Sequence, residues 1–366
     1  MSAAACLRSH CITVVSAADE PRLASYSRFV RDSVRLRDRS ATQVLTCLES
    51  LVHSSPGELL LFPCSDEWIE VLAGDLLRPL RIGRMLPIAP EHLALTLDKA
   101  AFEREITLLG LPGPVTFRTR VDRDWIPPSY PFVLKPSSTY RLEAQCGVKA
   151  VLIRGEREWQ SLDKSVLDQN SFIAQEYLEG KSISVCFCTT GLGRLAGAYA
   201  TEKVHYSSMR TGCRVATVQR PDAIDLASQF IEKTGLIGFG ELEMIDSARG
   251  LALLELNARP WSQVLMSDSL GIPIIEMAVG LMSGQELPEQ GTSSSPELEW
   301  ISWDNDLLFR RALRRAGQPV RPTTITKRVY AQSFFRDPIP ALIYALTLSR
   351  LGPGRFAHIL RPLRAK

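Results

Sequence analysis

Three oxygen-bearing side chains lie on two neighbouring apolar segments around residue 250. Glu243 precedes a turn at residues 247–250, and Glu255 and Asn257 follow that turn. Successive side chains of a strand alternate between its two faces, so the pattern predicts a hairpin on which the three groups share one face. Two carboxylates and an amide suit Mg²⁺ that takes its other ligands from water and phosphate. A hairpin that carries ordinary polar residues on its wet face is the alternative interpretation.

The residues around Glu255 favour the metal interpretation. Leu253, Leu254 and Leu256 bracket this glutamate. A carboxylate within such an apolar strand is costly to bury unless a positive charge lies beside it.

Two lysines stand at the ends of other predicted elements. Lys99 opens a helix that is predicted to run to residue 109, where Gly110 and the prolines after it end it. Lys135 ends a strand predicted over residues 130–135. An isolated lysine at this position either extends to solvent at the rim of the sheet or points at an anion.

The start of the chain predicts a small parallel sheet. Residues 9–16 and 58–62 have the pattern of short buried strands, and residues 41–52 that of a helix between them. Ser65 or Asp66 then caps a following helix. Residues at the carboxyl end of such a strand often line a ligand crevice, although capping alone explains both side chains.

Strands and helices alternate through the rest of the chain, and one polar stretch interrupts them. Residues 137–147 have few strong structure formers and are predicted to form a mobile loop. Lys203, His205, Arg210 and Arg214 are predicted in a polar stretch around Gly212. The further predicted strands cover residues 149–153, 171–180, 183–188 and 195–200, and the further helices cover residues 223–234, 263–269, 274–282 and 307–316.

Length and composition indicate an intracellular multidomain protein. The chain has 366 residues, of which 45% are apolar, enough for two or three packed domains. No apolar run reaches the length of a membrane span and no signal peptide is recognisable, so a cytoplasmic protein is expected. The eight cysteines have no CxxC spacing, so we expect reduced thiols rather than zinc ligands or disulfides.

Positive charge is concentrated toward the end of the chain. Residues 310–366 contain thirteen Lys and Arg against one acid, Asp337, a net charge of +12 that leaves −9 for the rest. This segment could meet an acidic substrate or anionic lipid, or be a solvated surface that complements the acidic body. Nucleic-acid binding is not expected, because no aromatic residues are interleaved with the charge. Peripheral membrane contact stays open, supported by the apolar residues 339–348 between arginines.

Five motifs occur in order along the chain. They are Asp98-Lys99 before a helix ending in Gly-Leu-Pro-Gly-Pro, Phe-Val-Leu-Lys135-Pro, Gln175-Glu-Tyr-Leu-Glu-Gly, Glu243, and Glu255-Leu-Asn257-Ala-Arg259 twelve residues later. Together they resemble the ATP-grasp superfamily over residues 91–284. Arg259-Pro-Trp-Ser, Leu270-Gly-Ile-Pro and Tyr26-Ser-Arg make the likeness closest to the carboxylate–amine ligase group, which includes D-aspartate ligases.

The resemblance implies an α/β (α+β) architecture of the ATP-grasp type. It consists of a small N-terminal parallel-sheet domain, a two-lobed nucleotide-binding region and a basic C-terminal extension. The domains are expected at residues 1–90, which look truncated at the start, at 91–290 and at 297–366. Within the middle domain, the small lobe covers about residues 130–178 and the large lobe about 179–290.

The resemblance also implies the roles of the metal and catalytic residues. Glu243, Glu255 and Asn257 would hold two Mg²⁺ ions, with Mn²⁺ as an alternative, that bridge the phosphates of ATP. Arg259 would steady the acyl phosphate or the transferred phosphoryl group, and Lys135 is the second catalytic candidate.

Nucleotide binding is implied for a wider set of residues. Gln175 would reach the adenine amino group, and the backbone of Tyr177 and Leu178 would read the adenine edge. Lys203 and Arg210, with Arg214, would hold phosphates or an acidic substrate, although a solvated basic loop explains them nearly as well. The complete nucleotide-binding set is Lys99, Lys135, Gln175, Glu176, Tyr177, Leu178, Glu179, Lys203 and Arg210.

Three departures separate the chain from the superfamily pattern. The loop after Lys135 has no glycine before Gly147, although relatives place glycines over the phosphates there. Relatives also carry a ribose-binding acid where this chain has Lys181 or Ser182, so Glu176 or Glu179 would have to replace it. The first strand and glycine turn of the N-terminal domain are blurred.

The expected function is an ATP-dependent ligase that forms an amide or peptide bond through an acyl phosphate. Its partners would be a small-molecule carboxylate and an amine, and a homodimer is an open alternative to a monomer. A small-molecule kinase of the same fold and a catalytically impaired nucleotide-binding scaffold are the competing hypotheses.

Overall fold

The structure is a computed structural model. It describes residues 2–20, 23–55, 57–74, 83–86, 89–137, 150–165, 167, 171–206, 212–289, 297–320, 325–331 and 337–350. Two sequence predictions lie outside these residues: the loop after Ser137 and the position of Arg210.

The N-terminal region contains the predicted parallel sheet, but with a different second strand. Helix α1 (Ser2–Cys6) precedes β1 (Thr13–Ser16), which pairs in parallel with β2 (Asp32–Arg35). Helices α2 (Ala41–Ser54) and α3 (Asp66–Ala73) follow. The strand predicted at residues 58–62 is wrong, because this segment makes only one isolated bridge, from Leu60 to Arg84. The true partner β2 carries exposed polar residues and lacks an apolar pattern.

Helix capping sets where two of the helices begin. The Ser65 hydroxyl accepts a hydrogen bond from the Trp68 backbone N–H at the start of α3. Asp98 ends α4 (Pro90–Leu97) and caps α5 (Lys99–Leu108) by accepting from the Ala100 N–H at 2.9 Å. Lys99 is thereby fixed as the first residue of α5.

A small antiparallel sheet forms the first lobe of the middle region. Its strand order is β3-β6-β4-β5, and one of its faces packs on a core that includes Phe132, Trp159 and Phe172. The elements are β3 (Thr116–Arg118), β4 (Phe132–Pro136), β5 (Val151–Ile153), α6 (Glu156–Ser161) and β6 (Phe172–Glu176).

A seven-stranded sheet in the order β11-β10-β7-β8-β9-β12-β13 forms the larger lobe. Helix α7 packs with α5 on one face, and α8 and α9 pack on the other. The elements are β7 (Gly180–Thr189), β8 (Leu195–Tyr206), β9 (Gly212–Val218), α7 (Pro221–Thr234), β10 (Phe239–Ser247), β11 (Gly250–Asn257), α8 (Leu265–Ser269) and α9 (Ile274–Met282).

The polar stretch predicted around Gly212 belongs in large part to this sheet. Lys203 and His205 lie on β8, which continues well beyond the predicted end at residue 200, and Arg214 lies on β9. The prediction missed the polar second half of β8 and did not include β9 at all.

The C-terminal region, from residue 297 onward, adds two strands and two helices in its described residues. Strand β12 (Glu299–Ile301) pairs with β9, and β13 (Arg328–Tyr330) pairs with β12. Helices α10 (Trp303–Arg315) and α11 (Pro338–Arg350) complete the described chain. Within the described residues, no helix combines the length and apolar character needed to cross a bilayer.

Candidate active site

The β10–β11 hairpin brings the three predicted oxygen donors together. Glu243 lies directly opposite Glu255, and the Asn257 side-chain amide donates to Glu243 Oε1 at 3.3 Å. The pairing register shifts between Glu243 and Met244, where Leu254 is the extra residue of a bulge. The extra residue changes which side chains share a face of β11. Leu253 and Leu256 are therefore both buried on one face, while Glu255 lies opposite Glu243 on the other.

Each of the two glutamates has a lysine partner from another element. Lys99, at the start of α5, forms a salt bridge with Glu255. Lys203, on β8, donates from Nζ to Glu243 Oε2 at 2.5 Å. The side chains of both lysines are only 11% exposed, so these ion pairs are shielded from water.

The surrounding charges shift the pKa of one member of each pair, Glu255 and Lys203. Burial by itself would raise the pKa of Glu255, but the attraction of Lys99, with smaller effects of Lys135 and Arg259, lowers it to about 2. Burial opposes the charge of Lys203, yet Glu243 and Glu241 outweigh it and raise the lysine pKa. Glu255 and Lys203 are therefore both charged at neutral pH.

Lys135 adds a third lysine to the cluster. It lies on β4 of the small lobe, and the carbonyl of Ser137 accepts from the Lys99 N–H at 3.1 Å, which holds the start of α5 beside the end of β4. Burial and repulsion by Lys99 lower the pKa of Lys135 despite the attraction of the nearby glutamates. Lys135 thus brings a further cation beside Lys99 and the two glutamates, where phosphate oxygens could be bound.

Arg259 connects the hairpin to the N-terminal region. Its Nε donates to Asp66 Oδ1 at 2.5 Å, and its guanidinium also donates to the Asn257 side-chain oxygen at 3.3 Å. Asp66 is the first residue of α3. Sequence reasoning preferred helix capping for both Ser65 and Asp66, but only Ser65 caps the helix, while Asp66 orients Arg259.

Glu241 is a further acid at the site that sequence reasoning missed. It lies opposite Asn257 on β10, is 5% exposed, and accepts from Gln263 Nε2 at 2.8 Å. Burial, together with repulsion by Glu243, raises its pKa to about 7. Its spacing of two residues from Glu243 on one strand was the signal that could have identified it.

The predicted adenine-binding residues lie where the small lobe leads into β7. Gln175 is fully buried, and its amide donates to Thr116 Oγ1 at 3.1 Å while its Oε1 has no hydrogen-bond partner. The Glu176 carboxylate accepts from the Val115 N–H at 2.6 Å and from the Arg249 guanidinium. Tyr177 and Leu178 are half-buried and Glu179 is exposed.

Two other predicted basic residues are engaged elsewhere. Arg214 is 4% exposed and donates twice to the Glu299 carboxylate, at 3.0 and 2.7 Å, which ties β9 to β12. Its predicted contact with phosphate is therefore withdrawn. His205 Nδ1 lies 2.5 Å from Asp306 Oδ1 on α10.

The donor set fits a divalent cation that is shared with phosphate oxygens. In the described part of the chain, no group of three or more His, Cys, Asp or Glu is arranged to hold a metal by itself. Two opposed carboxylates and one amide instead leave coordination positions for phosphate and water, which is how Mg²⁺ is commonly held. The three lysines provide the charge that the phosphates need.

The small antiparallel lobe and the larger sheet, with lysines and paired carboxylates between them, have the arrangement of the ATP-grasp fold. Residues 168–301 match the model of the family described as ATP-grasp in the biosynthetic pathway with Ter operon. That match runs from just before β6 to the end of β12 and includes the whole β10–β11 hairpin. A search of curated protein sequences finds no match.

Solved structures support the assignment of the ATP-grasp fold. A biotin carboxylase–β,γ-ATP complex from Campylobacter jejuni aligns with a TM-score of 0.59 and 14% identity over 79% of this chain and 69% of that chain. An N5-carboxyaminoimidazole synthetase from Staphylococcus aureus complexed with ADP gives 0.60 and 13% over 79% and 76%. An L-amino acid ligase from Bacillus licheniformis gives 0.54 and 13% over 74% and 67%. The ATP-grasp fold predicted from the motifs is confirmed.

Proposed function

We propose that this protein is an ATP-dependent ligase that joins a small-molecule carboxylate to an amine. The observation that carries the proposal is the pairing of Glu243 with Glu255 across the hairpin, with Lys99 and Lys203 bound to them. The proposal is supported by similar structures that are described as a carboxylase, a synthetase and a ligase, two of them in complexes with ATP-type or ADP ligands.

Glu243, Glu255 and Asn257 are the residues that would hold Mg²⁺, with Mn²⁺ as an alternative. When bound, the metal would neutralise phosphate charge and align the terminal phosphate for transfer. Two ions are consistent with the two opposed carboxylates. The pKa of about 2 for Glu255 keeps this ligand ionised at any physiological pH.

The three lysines would bind the phosphates of ATP. Lys99 and Lys203 are held in place by the same carboxylates that would bind metal, so they stand next to the phosphates without needing to move far. Lys135 approaches from the small lobe, so that the two lobes enclose the triphosphate. Such preformed positive charge favours phosphoryl transfer because no reorganisation is needed at the moment of reaction.

Arg259 would act on the reacting groups. In the first step an oxygen of the substrate carboxylate attacks the terminal phosphorus, the bond to the bridging oxygen breaks, and ADP leaves. In the second step the amine attacks the acyl carbon, loses a proton, and inorganic phosphate leaves. The Arg259 guanidinium, which is held by Asp66 and Asn257, would stabilise the charge on the acyl phosphate.

The adenine would lie against residues 175–179, between the two lobes. The buried and unpaired Oε1 of Gln175 is an acceptor that an adenine amino group would satisfy. The backbone of Tyr177 and Leu178 would read the adenine edge. Glu176 and Glu179 remain the candidates for binding the ribose, although Arg249 already forms a salt bridge with Glu176.

We also propose that the protein is cytoplasmic and that its domain boundaries lie at residues 90 and 297.

A screen for ADP release tests the function. Purified protein is incubated with MgATP and a panel of amino acids that serve in turn as carboxylate and amine donors, and each product is identified by mass. We expect ADP release that requires both donors, with a product whose mass equals their sum less one water. ADP release with a carboxylate alone and no gain from any amine would instead identify a kinase, and nucleotide binding without release would identify a scaffold.

A further inference from the structure

Helix α11 exposes three large apolar side chains that form a stripe along one of its faces. Ile339, Leu342 and Leu346 are 55%, 54% and 51% exposed. Their spacing of three and four residues places them on one face of the helix. We call these three residues the apolar stripe.

The opposite side of α11 is anchored to the protein. Ala341 is 1% exposed, and the Tyr344 hydroxyl donates to Asp304 Oδ2 on α10 at 2.5 Å. Just before the helix, the Asp337 carboxylate accepts from the Ser27 hydroxyl at 2.5 Å and from the Arg28 N–H at 3.1 Å. These contacts fix the orientation of the helix, so the stripe faces outward.

The segment of the chain that carries the stripe is positively charged. Asp337 is the one acid of residues 310–366, and it is buried by its contacts with Ser27 and Arg28. Residues 338–366 contain five Lys and Arg and no acid, and position 350 stands one helical turn beyond Leu346. On α10, Arg311, Arg314 and Arg315 are exposed as well. No described carboxylate of this segment is left on the surface to offset these cations.

We propose that α11 binds the surface of an anionic phospholipid bilayer. The apolar stripe enters the boundary between headgroups and acyl chains, and the arginines near it contact the lipid phosphates. The helix has thirteen residues, too few to span a bilayer, so it lies in the plane of the interface. A nucleic acid would match the charge but would leave three aliphatic side chains against phosphate and water, which is why lipid is the better partner.

Vesicle co-sedimentation of the full-length protein tests the proposal. We expect the protein to sediment with vesicles of phosphatidylcholine and phosphatidylglycerol and to stay in the supernatant with phosphatidylcholine alone. Leu342→Glu/Leu346→Glu should reduce binding at least about tenfold. The control is Leu192→Glu, which places one glutamate on a leucine that is 83% exposed in the turn between β7 and β8, and it should bind like the wild type.

A second measurement does not depend on any variant. Hydrogen–deuterium exchange of the wild type, with and without the anionic vesicles, should show protection concentrated in peptides of residues 338–350. Sedimentation that needs no anionic lipid, wild-type binding by the double variant, or absence of protection in α11 would each overturn the proposal.

Two other binding partners of the apolar stripe, a second copy of the chain and a nucleic acid, would give different results. A dimer in lipid-free solution that Leu342→Glu/Leu346→Glu dissociates, as measured by light scattering, would show that the stripe is covered by a second copy. Binding of a short DNA duplex that the double variant abolishes would show a nucleic-acid surface. Either result would overturn the lipid proposal.

Discussion

The charges at the hairpin are balanced residue by residue. Glu255 is paired with Lys99, Glu243 with Lys203, and Asp66 with Arg259, while Lys135 remains close to the cluster with a lowered pKa. Buried ion pairs of this kind contribute little net stability, because the cost of removing two charges from water offsets their attraction. Their arrangement is better explained by the proposed binding of phosphates and metal.

Replacing the Glu255 carboxylate should reduce activity without unfolding the protein. Glu255→Gln keeps the shape and the hydrogen-bonding capacity of the side chain but removes one charge from the proposed metal site. We expect turnover to fall at least about a hundredfold, with a thermal midpoint within a few degrees of the wild type. The matched control is Glu286→Gln at an exposed position, which should leave turnover unchanged. Normal turnover in Glu255→Gln would refute the metal assignment.

Lys135 should react with amine reagents at a lower pH than ordinary lysines do. Burial and the neighbouring Lys99 lower its pKa, so a larger fraction of its amine is neutral and nucleophilic at a given pH. We expect acetylation of Lys135 at pH 8 to outpace that of Lys181, whose side chain is 60% exposed, when peptides are quantified by mass spectrometry. MgATP should protect Lys135 and leave Lys181 unaffected. Labelling of Lys135 no faster than Lys181 would show that its pKa is not lowered.

At the scale of elements, the site depends on how closely β10 approaches the end of β11. A Cβ atom added at Gly240 would lie 2.5 Å from the Asn257 carbonyl oxygen and 3.0 Å from Ala258 Cα. These are backbone atoms that cannot rotate away. Gly240 therefore allows the close contact that places Asn257 beside Glu243.

Gly240→Ala should accordingly move Asn257. We expect a loss of about 1–3 kcal/mol in the free energy of unfolding and an increase in the KM for MgATP, measured by denaturant titration and steady-state kinetics. Gly155→Ala is the control, because a Cβ at that position meets nothing within 4 Å. An unchanged KM in Gly240→Ala would mean that the position of Asn257 is unimportant for nucleotide binding.

The elements that carry the motifs were predictable from local sequence, and those completed by distant partners were not. The β10–β11 hairpin, α5 and β4 follow from apolar periodicity and capping. The second half of β8 and the whole of β9 were missed, and the partners of their residues Lys203, His205 and Arg214 lie 40, 101 and 85 residues away. Polar residues become part of a buried sheet only when such partners are supplied by the fold.

At the scale of the whole molecule, two contacts join separate parts of the chain around the site. Arg259 meets Asp66 across 193 residues, and Arg249, in the hairpin turn, meets Glu176 of the small lobe across 73 residues. Neither contact could be derived from spacing along the sequence. The N-terminal region thus contributes Asp66 to the site. This role was not predicted from the sequence because helix capping already explained the residue.

Breaking the first of these contacts should impair chemistry more than nucleotide binding. Asp66→Asn keeps a polar residue at the start of α3 but weakens its hold on Arg259. We expect kcat to fall roughly tenfold to a hundredfold while the Kd for MgATP stays nearly constant. Asp225→Asn, at an exposed position of α7, serves as the control. A weaker Kd with an unchanged kcat would assign Asp66 to nucleotide binding instead.

Calorimetric titration of ATP, with and without Mg²⁺, tests most directly whether the hairpin is a metal–nucleotide site. The titration compares the wild type with Glu243→Gln/Glu255→Gln. We predict that Mg²⁺ tightens ATP binding to the wild type by about tenfold or more and has little effect on the double variant. The same Mg²⁺ dependence in both proteins, or none in the wild type, would contradict this account of the site.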